Sequence, residues 1–168
     1  MTTYIVMASH VEEISQIVLS PQELAAIQHG GHIEFAGLSI QVEDDVLRAE
    51  GEAIADVPTF KHLLRICEEI FRLHGSWALL AIGNDQTPAM SAERRRILAE
   101  WSQTHPARGI ALVRITNPLA ITMLSLMMRA MNVLRATSLP IAFFRTEIEG
   151  RAWLASKRAR THVRSSVA

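Results

Sequence analysis

Only one cysteine, Cys67, occurs in the 168 residues, so an internal disulfide is excluded and the chain fits a reducing cytoplasm. Charge of one sign is also missing: Lys+Arg and Asp+Glu stand at 17 each, which removes any bulk pull toward nucleic acid or an anionic membrane. No apolar run approaches the roughly 20 residues a membrane span needs. The opening residues carry no basic stretch, and Glu12 and Glu13 interrupt their apolar positions, so no signal peptide is expected. Catalytic motifs are absent as well: there is no phosphate-cradling glycine loop, no paired-cysteine motif, no HExxH and no GxSxG elbow. His10, His29, His32, His62, His74, His105 and His162 fall on different predicted elements, and no local spacing selects a base. These absences predict a soluble cytoplasmic protein with no transmembrane segment, nucleic-acid partner, metal or cofactor, and with no enzymatic activity. An enzyme assembled from distant residues, such as Asp85 with His105, is the catalytic alternative.

What is present is an alternation of strands and helices. With 49% hydrophobic and 20% charged residues, the chain has the composition of one globular domain with a sizeable core. The stretch from Trp77 to Trp101 sets the pattern. Trp77 to Ile82 is an unbroken apolar run of the length of a buried strand, and Gly83 to Met90 is a polar loop. Ser91 then stands at a helix N-cap, with Glu93 inside and Ile97, Leu98 and Trp101 on one face. The unit recurs. Ile110 to Ile115 is a second β-prone run, followed by Asn117-Pro118 as N-cap and N1 of a helix reaching about Thr137. Ile141 to Phe144 is a third, followed by a Thr146/Glu149 capping box and a helix carrying Ile148, Trp153 and Leu154.

Before these units, Leu38 to Val42 and Val46 to Gly51 predict a hairpin turning at Glu43-Asp44-Asp45, with one solvated face. A helix from about Asp56 to Gly75 follows, with Phe60, Leu63, Leu64, Cys67, Ile70, Phe71 and His74 on one side. Cys67 on that stripe reads as a buried, inert thiol. Residues 1–35 read as an N-terminal extension. Tyr4 to Met7 is a candidate strand, Ser9 with Glu12 is a capping box, and Ser20-Pro21-Gln22-Glu23 opens a helix that Gly30-Gly31 stops. His29 and His32 flank those glycines as a polar turn, since two histidines without a third ligand make no metal site. The predicted fold is α/β: a small, mostly parallel sheet with an antiparallel hairpin at its start, sequential β-α units over 36–157, the helical extension before them and a basic tail over 158–168.

Several stretches carry a resemblance. The hairpin DDVLRAEGEA, the helix start DVPTFKHLL, the strand and loop WALLAIGND, the helix SAERRRILAEW and the ending IAFFRTEIEGRAWL resemble the STAS-like domains of the SpoIIAA-like family. These bacterial domains are fold relatives of anti-sigma-factor antagonists and, more distantly, of a class of lipid carriers. The resemblance covers roughly Ala36 to Leu154, and FFRTEIEGRAWL is its sharpest piece. It implies a sequential β/α sheet, no catalysis, and a protein partner or ligand bound at the loop before the second helix of the domain. Phosphoregulated members carry an Asp-Ser-Ser/Thr-Gly element there. This sequence has a longer loop without the glycine, and Ser91 takes the helix-start position as candidate phosphoacceptor.

Two anomalies point to surfaces. Arg94, Arg95 and Arg96 lie in the first turns of the Ser91 helix, where the dipole is positive and acidic side chains are favoured by about 0.3–1 kcal/mol each. One reading is a binding surface over Asn84, Asp85, Gln86, Thr87, Ser91, Arg94 and Arg95, with Arg94 leaning toward the sheet and helix N–H groups ready for an anion or a phosphate-containing ligand. The other is a solvated face in which Arg96 pairs with Glu100 and Arg94 with Asp85. The second anomaly is the helix after Pro118, polar only along Thr122, Ser125, Arg129 and Asn132. Its surplus apolar surface, including Met123, Met127, Met128 and Met131, predicts cover by the N-terminal extension, by a second subunit in a homodimer, or by a lipid or other apolar ligand.

Overall fold

The computed structural model describes residues 9–51, 56–83, 90–119, 121, 122, 125, 126, 129 and 139–165, with side chains as far as Lys157. It is an α/β fold: a six-stranded mixed sheet in the order β1-β2-β3-β4-β5-β6, with five helices among the described residues. The strands are β1 (Gly31–Phe35), β2 (Leu38–Glu43), β3 (Val46–Gly51), β4 (Ala78–Ile82), β5 (Gly109–Val113) and β6 (Ile141–Phe144). The first three pair antiparallel, and β3 to β6 run parallel. The helices are α1 (His10–Ser15), α2 (Pro21–His29), α3 (Val57–His74), α4 (Ala92–Trp101) and α5 (Glu147–Ser165). Residues 118, 119, 121, 122, 125, 126 and 129, between β5 and β6, are helical too.

The hairpin expected from Leu38 to Gly51 is formed by β2 and β3, and the sheet begins one strand earlier. His32-Ile33-Glu34-Phe35 also alternates, and Ala36-Gly37 forms a two-residue loop at φ 49° and 80° that closes β1 onto β2. Both turn residues being left-handed is what a tight hairpin twist demands. The Gly30-Gly31 pair therefore ends α2 and starts a strand at once, a double role that a helix-stop reading hides. The boundary drawn at Ala36 falls inside this turn. The antiparallel strands keep the predicted alternation: Leu38, Ile40, Val42, Leu47 and Ala49 are buried, while their neighbours are half-exposed.

Helices α1 to α4 cover one face, the side that right-handed crossovers from β3 to β4 to β5 select. The core there is built on Ile14, Ile27, Ile66, Ile70, Trp77, Ile97 and Trp101, with the two indoles edge to face at 5.3 Å. Helix α5 covers the other face, where Leu154 and Trp153 pack with Ala78, Leu80, Ile82, Ala111 and Val113. It lies close because of two glycines: a Cβ on Gly109 would come within 2.9 Å of the Trp153 ring, and one on Gly150 within 3.0 Å of Leu80. The basic tail expected from residue 158 instead prolongs the last helix, which runs to Ser165. Ala, Lys and Arg dominate that stretch, with neither glycine nor proline to break it.

Candidate functional site

In a parallel sheet with sequential β-α units, every helix that follows a strand begins at the same edge, the carboxyl ends of the strands. The local sequence caps each of these starts. Asp56 accepts the Thr59 N–H at 2.7 Å, and Ser91 accepts the Arg94 N–H at 3.3 Å. Asn117 accepts the Leu119 N–H at 3.0 Å, and Thr146 accepts the Glu149 N–H at 3.3 Å. Four helix N-termini thus gather at one edge, and with them their partial positive charge. Arg114, at the end of β5, sits at φ 64°, a left-handed conformation that an arginine adopts at a cost of about 1–3 kcal/mol. Its Nη1 donates to Glu50 at the end of β3 at 3.2 Å.

The predicted site residues divide. Asn84, Asp85, Gln86 and Thr87 lie outside the described residues, as do Met123, Met127, Met128 and Met131 and the candidate strand Tyr4 to Met7. Ser91 is the exposed N-cap of α4. Arg94 is turned inward and only 8% exposed, and its Nε donates to the Ser91 hydroxyl at 3.3 Å. The Arg94 charge also reaches Asp56, whose carboxyl is held below its ordinary range first by the Thr59 N–H and in small part by that guanidinium. Arg95 Nη1 donates to the Met90 carbonyl at 2.8 Å, tying the end of the loop to the helix. Arg96 reaches back to α1, where its Nη2 lies 3.0 Å from His10 Nε2, in place of the expected pair with Glu100. His105, weighed as a partner for Asp85, stacks on Trp101 at 4.7 Å and meets Phe71 edge-on at 5.4 Å.

Sequence reasoning missed a polar cluster between α1, α2 and α3. Glu23 caps α2 through the Ser20 N–H at 2.7 Å and also accepts a hydrogen bond from His62 at 2.6 Å. Burial pushes the Glu23 carboxyl up, but Ser20 and His62 outweigh it and hold the group below its ordinary value. The His62 ring stacks on Phe35 at 4.3 Å. Beside it, Glu13 pairs with Lys61, and a groove of about 380 Å³ opens, lined by Glu13, Ile17, Val57, Pro58, Lys61 and His62. The capping box announced one of Glu23's roles. Its second partner lies 39 residues away, beyond any local pattern.

Among the described residues no group of three or more His, Cys, Asp and Glu could hold a metal ion, and no helix is long and apolar enough to cross a membrane. The chain matches no family model, no curated protein and no solved structure.

Proposed function

We propose that this protein is a non-catalytic regulatory module of the SpoIIAA-like type, which binds an acidic or phosphorylated group of a protein partner at the carboxyl edge of its parallel strands. The observation that carries the reading is Arg94, a nearly buried guanidinium tied back onto the Ser91 cap at the positive end of α4. Charge placed there opposes the helix dipole, and an arriving carboxylate or phosphate would relieve it. The convergence of helix starts capped by Asp56, Ser91, Asn117 and Thr146 extends that field across the edge. Phosphorylation of Ser91 would act on the same groups, since it brings roughly −1.5 to −2 charge beside Arg94 and Arg95. Titration of the labelled protein with phosphate, nucleotide and acidic peptides, followed by amide resonances, tests the reading. Shifts at Met90 to Ile97 that are lost in Arg94→Ala support it; no shift from any of the three would leave Arg94 a structural part of the α4 cap and overturn the reading.

A second reading, an apolar-ligand or lipid carrier, or a homodimer, rests on the helix after Pro118. Leu119 and Leu126 on it are 67% and 60% exposed, a large share for two leucines on one element. Native mass spectrometry of freshly purified protein separates these cases, because one spectrum reports both subunit number and retained ligand.

A further inference from the structure

Helix α1 is too short to stand alone. Its six residues fall well below the roughly 12–15 that an isolated helix needs, so it exists because it is docked. One side chain anchors it: Ile14, fully buried where α1 meets α3 and α4. The remaining contacts are polar and lie around that anchor. Glu13 pairs with Lys61, Ser15 Oγ donates to Glu68 at 2.6 Å, Arg65 Nε donates to the Ile17 carbonyl at 3.2 Å, and Arg96 meets His10.

The fit of α1 is incomplete on two sides. Toward the start of α3 it leaves the groove bounded by Ile17, Val57 and Pro58, with Val18 beside it 87% exposed. Toward the middle of α3 and the end of α4, Glu68 Oε2 and Trp101 Nε1 are buried without a hydrogen-bond partner. A buried polar atom in that state costs about as much as a lost hydrogen bond, so Glu68, which already accepts from Ser15 of α1, has room for a further donor from an occupant of this surface. Its charges favour one kind of occupant. Lys61 and Arg65 come from α3 and Arg96 from α4, and α1 sets Glu13 against Lys61 while Glu12 closes its own capping box; the one carboxylate on the surface that meets α1, Glu68, takes the Ser15 hydroxyl.

We propose that the surface formed by α3 and α4 under α1 is a second protein-binding site, that it accepts an acidic amphipathic helix of a partner, and that α1 is the chain's own detachable occupant of it. The incoming helix places an apolar residue where Ile14 sits and a carboxylate where Glu13 meets Lys61. A helix longer than α1 also covers the groove at Val57 and Pro58. This surface lies on the helical face of the sheet, is centred on Ile14, and reaches the strand-end edge only at Val57 and Pro58, the first residues of α3.

The test uses the full chain and a fluorescent peptide of residues 9–19. By hydrogen exchange of the wild-type protein, the amides of Glu13 to Ile17 should exchange at least 100-fold faster than those of Leu64 to Ile70, because α1 opens by itself. Exchange at one common rate would overturn the proposal. In trans, the peptide should bind the Ile14→Asp variant at least 10-fold more tightly than wild type, and a peptide with both glutamates changed to lysine should lose that advantage. If Ile14→Asp does not fold, Ile14→Ala serves in its place. Equal binding to variant and wild type, equal binding of the two peptides, or a dimer that exchanges α1 between copies would each count against an acidic partner helix.

Discussion

Arg108 grips Asp45 with both arms of its guanidinium, Nε to Oδ2 at 3.0 Å and Nη2 to Oδ1 at 2.9 Å, and the two side chains are only 4% and 2% exposed. Asp45 precedes β3 and Arg108 precedes β5, so the pair spans the sheet beneath β4. Ser76 donates to the same carboxylate at 2.7 Å, and a further guanidinium N–H of Arg108 reaches the Leu154 carbonyl of α5. The amino ends of three parallel strands and the covering helix are thus joined through two charged residues. Removing one partner of such a pair leaves the other charge buried and unmatched, so Arg108→Ala should cost about 3–5 kcal/mol. Urea unfolding checks it; a loss under about 1 kcal/mol would mean that water reaches the pair.

A different ion-pair group contributes to acid stability. Arg151 is the main cause that holds the Glu43 carboxyl below its ordinary value, and Arg48 is the main cause at Glu147. A carboxyl with a lowered folded pKa stabilises the protein fully above its ordinary value, about 4.3, and loses that contribution as pH falls through the folded value. Arg151→Gln should therefore be less stable than wild type near neutral pH, with the gap narrowing as the solution is taken toward pH 3. A gap that stays constant over that interval would show that Arg151 acts through packing.

Gly109 sets how closely α5 approaches the sheet. A methyl group there meets the Trp153 ring at 2.9 Å and Leu154 at 3.1 Å, and neither a ring in a packed layer nor a buried leucine yields freely. Gly109→Ala should destabilise the protein by about 1–3 kcal/mol through overpacking. Thermal unfolding by calorimetry reads this out, and an unchanged midpoint would mean that α5 can shift outward at no cost.

Cys67 offers a chemical clock. Burial pushes its thiol up to about 12, and the residue is 2% exposed in the face of α3 that packs on the core. The thiolate is the reactive form, so labelling by a thiol reagent at neutral pH should await unfolding. The labelling rate should then follow global stability across the variants above. Rapid labelling of the native protein would mean that α3 opens locally.

Ser91→Ala removes the cap of α4 and should cost about 1 kcal/mol. Because Ser91 Oγ also accepts from Arg94 Nε at 3.3 Å, the same variant should remove that contact and, if the proposed function holds, weaken the response of the α4 start to anions. Calorimetry and the titration described above read the two effects separately.

Much of this architecture could be read from local pattern. Caps at Ser9, Ser20, Asp56 and Ser91 all lie where the sequence places them, because capping is decided within four residues. The strands at Ala78, Gly109 and Ile141 were visible as apolar runs for the same reason. What escaped was set by partners distant in sequence. Glu69 sits among the polar positions of α3, yet it is 5% exposed and held by Arg65 and Arg72. Arg96 faced Glu100 on a helical wheel and instead found His10, 86 residues back. The candidate site at the sheet edge was legible as a place, through strand order and helix starts. Its inward-turned Arg94 was legible as a direction, and the polar cluster at Glu23 and His62 was not legible at all.

The strand order carries a consequence for how the chain comes into being. Each strand from β2 to β5 lies between its two neighbours in sequence, so the sheet can grow in the order in which a ribosome delivers it. At every stage up to β6 the newest strand has a finished edge to join, and α1 to α4 arrive on one face to cover it. The opposite face of β4 and β5, with Ala78, Leu80, Ile82, Ala111 and Val113, has its cover, α5, only in the last stretch of the chain. Among the described residues, the cover of that side therefore comes from an element that follows all six strands, while the other side is covered by helices interleaved with them.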